Sequence, residues 1–516
     1  MQLNSNPVRS SLAYLPLGTE TLTGGNLHLE ENTMKKIIGK LAVGLVLFGF
    51  LGACKKDKDD NTGLIALAVI LGNGVRVNSA ADLASESADN YDNNNYGLVT
   101  ATTVKKWIAN WAGTKPDGIS GNLIILQSNT AGTGQEYIKP ATGVYVYDWN
   151  AGGGTDVNFR QERNSGVTYV PTGLPDGART DAFLKLYNID LTKDLVVFAA
   201  GTDSATGVNV GSLANGFSAD LPSTPKGSIY QTTGRGLFWL RYWGADKKNI
   251  AILDGDIKSQ FAVSELVTTG GQSSPPNTGT FSVKSLKSVD NSVLAQPVEN
   301  IIAFVKAGGT SSATGFSGSV FIADARFNTT AASNEYAGVA SATGVTEYNT
   351  GGVTAQNKSA IEGHIKGAVF APWPKFINQS TGRFKTKSEI AALWKDVTWQ
   401  SDNTGKSGYQ DGQVILQYCR TNARSMITGM STFIILGKPT AFYDNSWIEW
   451  SSLTATTGGK QNLPSGSKFA TDSADVTEGL RFNATGVVAN YSNLKVNANA
   501  TTSRQIQIDD LIYKNQ

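Results

Sequence analysis

Apolar runs of strand length alternate with longer, helix-compatible runs along most of the chain, and they fall into two similar halves. In the first half, the runs 122–126 and 195–200 predict buried strands. In the second half, 320–326 and 414–416 predict strands, and 426–436 predicts a helix. Strands that alternate with helices indicate βα units. We therefore expect an α/β fold with a mainly parallel sheet in each half.

A hydrophobic run near the N-terminus has the features of an export signal. Met34 is followed by two lysines, and the run 37–51 is apolar apart from Lys40. The sequence LGAC at 51–54 resembles the lipobox of bacterial lipoproteins, in which the cysteine is lipidated and becomes the mature N-terminus. The alternative is a transmembrane anchor, but the run is shorter than the ~20 residues that a spanning helix needs. We predict an exported protein that is anchored by lipid at Cys54 to a bacterial membrane, on its periplasmic or surface face.

Composition and charge exclude several classes of function. Charged residues make up 17% of the chain and the formal net charge is +2, so there is no basic field to hold nucleic acid. The only histidines are His28 and His364, and His28 precedes the predicted mature chain. A zinc site built from cysteine and histidine is therefore not expected, and a Ser–His–Asp triad could use only His364. We predict no metal and no nucleic-acid partner.

The second cysteine, Cys419, lies in the most informative stretch of the chain. It follows the apolar run 414–416, and Arg424 comes five residues later, before the helix-compatible run. Backbone N–H groups in a tight loop before a helix favour an anion, and the cations of Arg420 and Arg424 favour the thiolate. With Cys54 lipidated, Cys419 has no partner within the chain, which indicates a reactive thiol. The alternative is a small buried core cysteine. We expect an ionised thiol that solvent can reach.

Several motifs in the second half resemble those of a known family. The predicted strand ends in Asp-x-Arg at 324–326, residues 362–368 read EGHIKGA, a Cys-x4-Arg loop occupies 419–424, and 443–450 reads YDNSWIEW. In this order they resemble the rhodanese family of sulfurtransferases, in its tandem-domain thiosulfate and 3-mercaptopyruvate type. That family has Asp-x-Arg, Gly-His-Ile-Pro-Gly-Ala, Cys-x4-Arg and Tyr-Asp-Gly-Ser-Trp-x-Glu-Trp. In this motif His364 is a structural turn residue.

The first half carries a weaker resemblance to the same family. Residues 140–144 occupy the place of the Gly-His-Ile-Pro-Gly-Ala motif but lack the histidine. The strand-like run 195–200 leads into a polar insertion, 201–227, instead of a catalytic cysteine. Residues 235–244 and 252–255 resemble the family's Ala-Ala-Arg helix and Leu-Asp-Gly-Gly strand end. In tandem members the first domain is usually inactive and helps to close the active site.

The resemblance and the composition shifts together divide the chain. The implied fold is α/β, with two rhodanese-like domains, each a mainly parallel sheet flanked by helices, and a strand-rich C-terminal extension. We expect that extension to pack on the second domain. The predicted segments are 1–33, disordered or untranslated; 34–53, signal peptide; 54–95, tether; 96–269, inactive rhodanese-like domain; 270–281, linker; 282–452, catalytic rhodanese-like domain; and 453–516, extension.

The resemblance implies sulfur transfer without a cofactor. A thiolate takes the outer sulfur of a small-molecule donor as a persulfide, and an acceptor such as cyanide or another thiol then removes it. Asn422 stands where the family often has glycine, and asparagine tolerates a left-handed backbone. The implied site comprises the catalytic Cys419; the loop and substrate-binding residues Arg420, Thr421, Asn422, Ala423, Arg424 and Ser425; and the possible cleft residues Arg235, Asp324 and Arg326. We expect Asp324 and Arg326 to form a structural ion pair near the site, and Arg235 either has a structural role or faces the interdomain cleft.

The sequence leaves the donor and the presence of turnover open. Arg420 favours thiosulfate, whereas Thr421 replaces a second cationic residue of thiosulfate enzymes, and Glu335 stands where some members have a substrate-binding arginine. One rival function is a catalytically silent surface or periplasmic binding protein that keeps the fold. Another is a persulfide carrier or thiol sensor.

Overall fold

The computed structural model describes residues 75–128, 135–149, 160–203, 225–313, 316–326, 361–400, 403–456, 461–482 and 494–516. The predicted signal peptide, Cys54 and Glu335 lie outside these residues. Among the helices that are described, none combines the length and the apolar character needed to cross a bilayer.

Short strands and helices alternate through both halves. The strands are β1 Arg76–Val77, β2 Gly97–Val99, β3 Leu123–Ser128, β4 Glu136–Ile138, β5 Val144–Asp148, β6 Gln161–Asn164, β7 Tyr169–Gly173, β8 Leu195–Ala200, β9 Ile250–Leu253, β10 Leu266–Thr268, β11 Val289–Asp290, β12 Thr310–Ala313, β13 Phe316–Asp324, β14 Ile361–Ile365, β15 Val369–Phe370, β16 Ile377–Asn378, β17 Arg383–Phe384, β18 Val414–Tyr418, β19 Thr440–Phe442 and β20 Thr477–Phe482. The helices are α1 Ala80–Leu83, α2 Ala101–Ala109, α3 Trp111–Thr114, α4 Gly177–Tyr187, α5 Tyr230–Trp243, α6 Ile257–Gln260, α7 Val298–Lys306, α8 Lys387–Lys395, α9 Arg424–Met430, α10 Ser446–Trp450 and α11 Gln505–Lys514.

The first sheet is entirely parallel and buried on both faces. Its order is β2-β9-β8-β3-β5. Along β8, Val196 and Phe198 enter one hydrophobic cluster while Leu195 and Val197 enter the other. Because alternate side chains of a strand point to opposite faces, burial of both faces requires an uninterrupted apolar run. This confirms the buried strand that the sequence predicts at 195–200.

The second sheet brings three strand ends to one edge. It contains β12-β13-β18-β19, with β15 also paired to β13, and only β12 runs antiparallel. Asp324 of β13 lies opposite Tyr418 of β18, and Gln417 lies opposite Phe442 of β19. The residues that follow these three strands therefore meet at the carboxyl edge. The mainly parallel α/β architecture predicted for both halves is confirmed.

The two halves share one hydrophobic core. A single cluster of buried apolar residues includes both Phe238 of α5 and Phe442 of β19, whose ring centres are 4.7 Å apart. Helix α5 also approaches α9 closely, because Gly234 faces Met426 and Met430. The residues that the structure describes accordingly belong to one compact unit, which contains both sheets.

The C-terminal extension packs on the second half, as the sequence predicts, and also on the first half. Strand β20 pairs with β14 of the second half. Helix α11 lies against the first half, where Asp510 forms a 2.7 Å ion pair with Arg163 and the hydroxyl of Tyr513 donates to Asp181 at 2.7 Å. The polar residues of α11 thus have partners that lie far away along the chain.

Gly236→Ala should destabilise the protein more than Gly234→Ala does. A Cβ at position 236 would lie 2.5 Å from Cε1 of Phe198, whereas a Cβ at 234 would meet methionine side chains at 3.1 and 3.2 Å. Overpacking a rigid ring should cost about 1–3 kcal/mol of unfolding free energy. At position 234, a helix-propensity gain of about 1 kcal/mol offsets the tighter contact. Urea unfolding midpoints of the two variants test this, and equal midpoints would contradict it.

Candidate active site

Cys419 directly follows the inner strand β18, at the carboxyl edge of the second sheet. Residues 419–423 form a short loop, and α9 begins at Arg424, in the strand–loop–helix order that the sequence predicts. Ligands of open α/β sheets bind outside the carboxyl ends of the strands. The loop therefore occupies the edge at which a substrate site is expected.

The loop bends through a left-handed residue and presents unpaired donors. Asn422 has φ +57°, the region expected for asparagine in place of glycine. Its side chain donates to Asp444 Oδ1 at 2.9 Å and accepts from Ser425 Oγ at 2.6 Å. Within the described part of the chain, the backbone N–H groups of Thr421, Asn422 and Ala423 meet no acceptor. Three such donors in one bend can hold an anion.

The prediction that solvent reaches Cys419 is wrong for this structure, because the side chain is 0% exposed. Helix α10 lies over the loop: Trp447 N–H donates to Cys419 O and Ile448 N–H to Arg420 O, both at 3.1 Å. The amide of Cys419 in turn donates to Ser446 Oγ at 3.4 Å. These bonds hold the backbone of Cys419 and Arg420 against α10.

The cationic residues of the loop lie closer to solvent than the thiol. Arg420, Thr421 and Arg424 are partly exposed, whereas Asn422, Ala423 and Ser425 are buried. Solvent therefore reaches parts of both arginines but not Cys419.

Asp324 and Arg326 form an ion pair at the same edge, with both side chains 0% exposed. Nε of Arg326 lies 2.9 Å from each carboxylate oxygen. The guanidinium carbon is 4.6 Å from the ring centre of Trp447 and 5.5 Å from that of Tyr418. The pair thus packs beneath the residues that cover the loop, and it does not line an open cleft.

Arg235, the third possible cleft residue, is also buried and joins the two halves. It comes from α5 of the first half and forms an ion pair with Asp444 in the second. It also donates to the carbonyl of Thr172 at 2.7 Å. The amide of Leu174 donates to Oδ2 of Asp444 at 3.0 Å. Asp444 is the residue that holds Asn422, so this carboxylate connects the first half to the candidate loop.

A second buried carboxylate connects the halves close to this pair. Glu449 in α10 accepts from Ser165 Oγ at 2.8 Å and from Thr168 Oγ1, both in the first half. It also accepts from the Tyr443 hydroxyl at 2.9 Å and from Asn445 Nδ2 at 3.0 Å. Burial raises the pKa of Glu449, and the four donors oppose that shift. The covering helix is therefore tied to the first half.

His364 lies in strand β14, and not in the turn that the family resemblance implies. Strand β20 of the extension supplies the pairing that makes this segment extended. The imidazole is buried, with the ring of Phe370 4.8 Å away in an edge contact. Burial, and then the cation of Lys406, lower the pKa of His364 to about 3. A neutral imidazole in this position has a packing role.

The YDNSWIEW motif is recognisable in the sequence, but the roles of its members are not. Asp444, Ser446 and Glu449 bind the loop and the first half, and Ser446 does so with φ +51°. No spacing rule connects Arg235 with Asp444, because they are 209 residues apart. Among the described residues, no cluster of three or more His, Cys, Asp or Glu side chains forms a metal site.

Part of the chain is similar to proteins described as sulfurtransferases. No family model matches the chain. Over 99 residues, 19% of its length, it is 33% identical to "Putative thiosulfate sulfurtransferase 1" of Mycobacterium bovis. It is 34% identical over 99 residues to a protein of like description from Mycolicibacterium smegmatis. The chain spans about a third, 32%, of the length of these curated relatives.

Solved structures with partial similarity include two proteins of different origin. Tum1 protein from Saccharomyces cerevisiae is 13% identical with a TM-score of 0.42, over 69% of this chain and 95% of that one. The anaerobic ergothioneine biosynthesis enzyme from Chlorobium limicola, solved with trimethyl histidine, is 15% identical with a TM-score of 0.43, over 69% and 68%. The α/β assignment rests on the chain's own strand pairing.

His364→Gln should flatten the dependence of stability on acid pH. The folded-state pKa of about 3 lies below the ordinary value of 6.5, so the unfolded chain binds the proton first. The stabilising contribution is complete above pH 6.5 and falls as the pH decreases toward 3. Linkage predicts that wild type loses about 2 kcal/mol more than the variant between pH 7 and pH 5. Urea unfolding at both pH values tests this, and parallel losses would contradict it.

Proposed function

We propose that the chain is a sulfurtransferase that carries sulfane sulfur on Cys419 as a persulfide. The observation that carries the proposal is the position of this thiol: it follows an inner parallel strand, and the next bend presents three backbone N–H groups with no acceptor among the described residues. The family motifs and the 99-residue similarity support the same chemistry. The terminal sulfur of a persulfide is anionic, and such a bend suits it.

The proposed cycle needs neither an oxidant nor a cofactor. The Cys419 thiolate attacks the outer sulfur of thiosulfate, the sulfur–sulfur bond of the donor breaks, and sulfite leaves with the electron pair. Cyanide then attacks the outer sulfur of the persulfide. Thiocyanate departs and the thiolate is restored. Preorganised N–H donors each contribute about 3 kcal/mol to stabilising a developing anion.

Charge favours thiosulfate as the donor. Arg420 and Arg424 flank the bend in sequence and are partly exposed, and their positive charge favours a small dianion. 3-Mercaptopyruvate is the second donor of the proposal, with pyruvate as its leaving group. A thiol can replace cyanide as the acceptor in the second step.

A specific observation favours the rival proposal of a catalytically silent binding protein. The Cys419 side chain is 0% exposed, and α10 covers its loop. Turnover requires a donor and then an acceptor to reach the sulfur, so the cover must open twice in each cycle. A chain in which the cover stays closed would keep the fold without the reaction.

Thiocyanate formation separates these proposals. A full-length Cys54→Ser variant retains Cys419 as its only thiol, since the chain has two cysteines. With thiosulfate and cyanide it should form thiocyanate, and adding Cys419→Ser should lower the rate on the order of 10³-fold, as loss of a nucleophile does. With thiosulfate alone, mass spectrometry should find one additional sulfur on Cys419.

Three other results of this experiment would favour different conclusions. Equal rates with and without Cys419 would refute the persulfide cycle. Sulfur on Cys419 without thiocyanate would indicate a carrier. Neither product nor bound sulfur, with thiosulfate or with 3-mercaptopyruvate, would establish the silent fold.

We propose further that the chain is exported and anchored through lipid on Cys54. The support is the sequence pattern alone: two lysines after Met34, an apolar run, and LGAC at 51–54. Two or more acyl chains give stable attachment, whereas one gives only marginal binding.

Metabolic labelling tests the anchor. In a bacterial host, the full chain should incorporate radiolabelled palmitate and fractionate with membranes, and globomycin should block its processing. Cys54→Ala should abolish the label and the processing, while Cys419→Ser should leave both unchanged. A chain labelled equally with and without Cys54 would contradict the proposal.

A further inference from the structure

The shape of the candidate loop depends on one side chain that is fixed at both of its polar atoms. Asn422 stands in the left-handed region at φ +57° and is buried. Its nitrogen donates to Asp444 at 2.9 Å, and its oxygen accepts from Ser425 at 2.6 Å. A residue with a side chain enters this backbone region less readily than glycine does. The two side-chain hydrogen bonds offset this conformational cost by fixing Asn422 to Asp444 and Ser425.

The anchor of Asn422 is itself fixed by the first half of the chain. Asp444 is paired with Arg235 of α5 and also accepts from the amide of Leu174 at 3.0 Å. Arg235 is oriented by a second bond, 2.7 Å long, to the carbonyl of Thr172. Every side chain in this chain of contacts is buried, so water competes weakly for the bonds.

We propose that Arg235 is a positioning residue for the Cys419 loop, acting through Asp444 and Asn422. In this relay the half without a catalytic cysteine sets the left-handed bend. It thereby sets the direction of the N–H groups at 421–423. The effect of Arg235 on turnover rests on the proposed function. Its effect on the conformation of the loop can be measured without turnover.

Arg235→Met tests the relay, with Arg241→Met as the matched control. Both arginines are buried in α5, but Arg241 donates to the carbonyls of Ala245 and Leu83 and has no bond to Asp444. In the Cys54→Ser background, Arg235→Met should lower kcat for thiocyanate formation about 30-fold with little change in KM, since small misplacement of reacting groups costs rate. Arg241→Met should retain the wild-type kcat.

A double-mutant cycle separates positioning from general damage. Asn422→Gly keeps the bend accessible without the side-chain anchor. Asp444→Asn should lower kcat about tenfold when residue 422 is asparagine and less than about twofold when it is glycine, because coupled residues are not additive. Equal losses in both backgrounds would refute a relay through Asn422.

Alkylation of Cys419 provides the readout that does not require turnover. The thiol is fully buried, so iodoacetamide reacts only when the loop opens. Arg235→Met should speed alkylation about tenfold, whereas Arg241→Met should match the parent, since only the first releases the bend. Similar alkylation rates and similar kcat values for the two arginine variants would overturn the relay. If the parent forms no thiocyanate but the alkylation rates differ as expected, the proposed function fails and the relay stands.

Discussion

The buried ion pair between Arg235 and Asp444 is the contact around which the polar junction between the candidate loop and the first half is built. Removing two charges from water costs several kcal/mol for each ion, and a single contact seldom recovers that cost. Here Asp444 also accepts from Leu174 and Asn422, and Arg235 also donates to Thr172. The pair is therefore stable only when the halves and the loop are all in place. Loss of either partner would leave an uncompensated charge inside the protein.

Glu449 follows the same principle without an ion pair. Four neutral donors surround its carboxyl group, two from each half, so every one must be positioned for the group to be buried. Both carboxylates belong to the segment 443–450, which also supplies the cover over Cys419. The polar junction between the halves and the cover of the candidate site are thus one structural element. A movement that exposes the thiol must disturb contacts across the junction.

The sequence predicts those parts of the fold that depend mainly on residues close together in the chain. The apolar runs at 195–200 and 414–416 become buried strands because both sheet faces are covered. The left-handed Asn422 was foreseeable from its place in a tight loop. The strand at His364 was not, because its partner β20 belongs to a distant segment with no recognisable pattern. The burial of Cys419 was missed because α10, although it belongs to a recognised motif, covers the loop through tertiary contacts that the sequence does not show.

The sealed thiol and the neighbouring amides, which meet no acceptor among the described residues, are consistent with one another. In a site without water, each N–H group stabilises an anion more strongly than it would in water. The cover that blocks access to Cys419 therefore also favours the binding of an anion by the N–H groups of residues 421–423. A ping-pong cycle needs both states, closed for the transfer of sulfur and open for exchange of donor and acceptor. Arg420 and Arg424 are partly exposed, and the segment that covers Cys419 contains Ser446, whose backbone is in the left-handed region. Backbone strain of that kind persists only where surrounding contacts enforce it, and the hydrogen bonds of Asp444, Ser446 and Glu449 to the loop and the first half supply such contacts here.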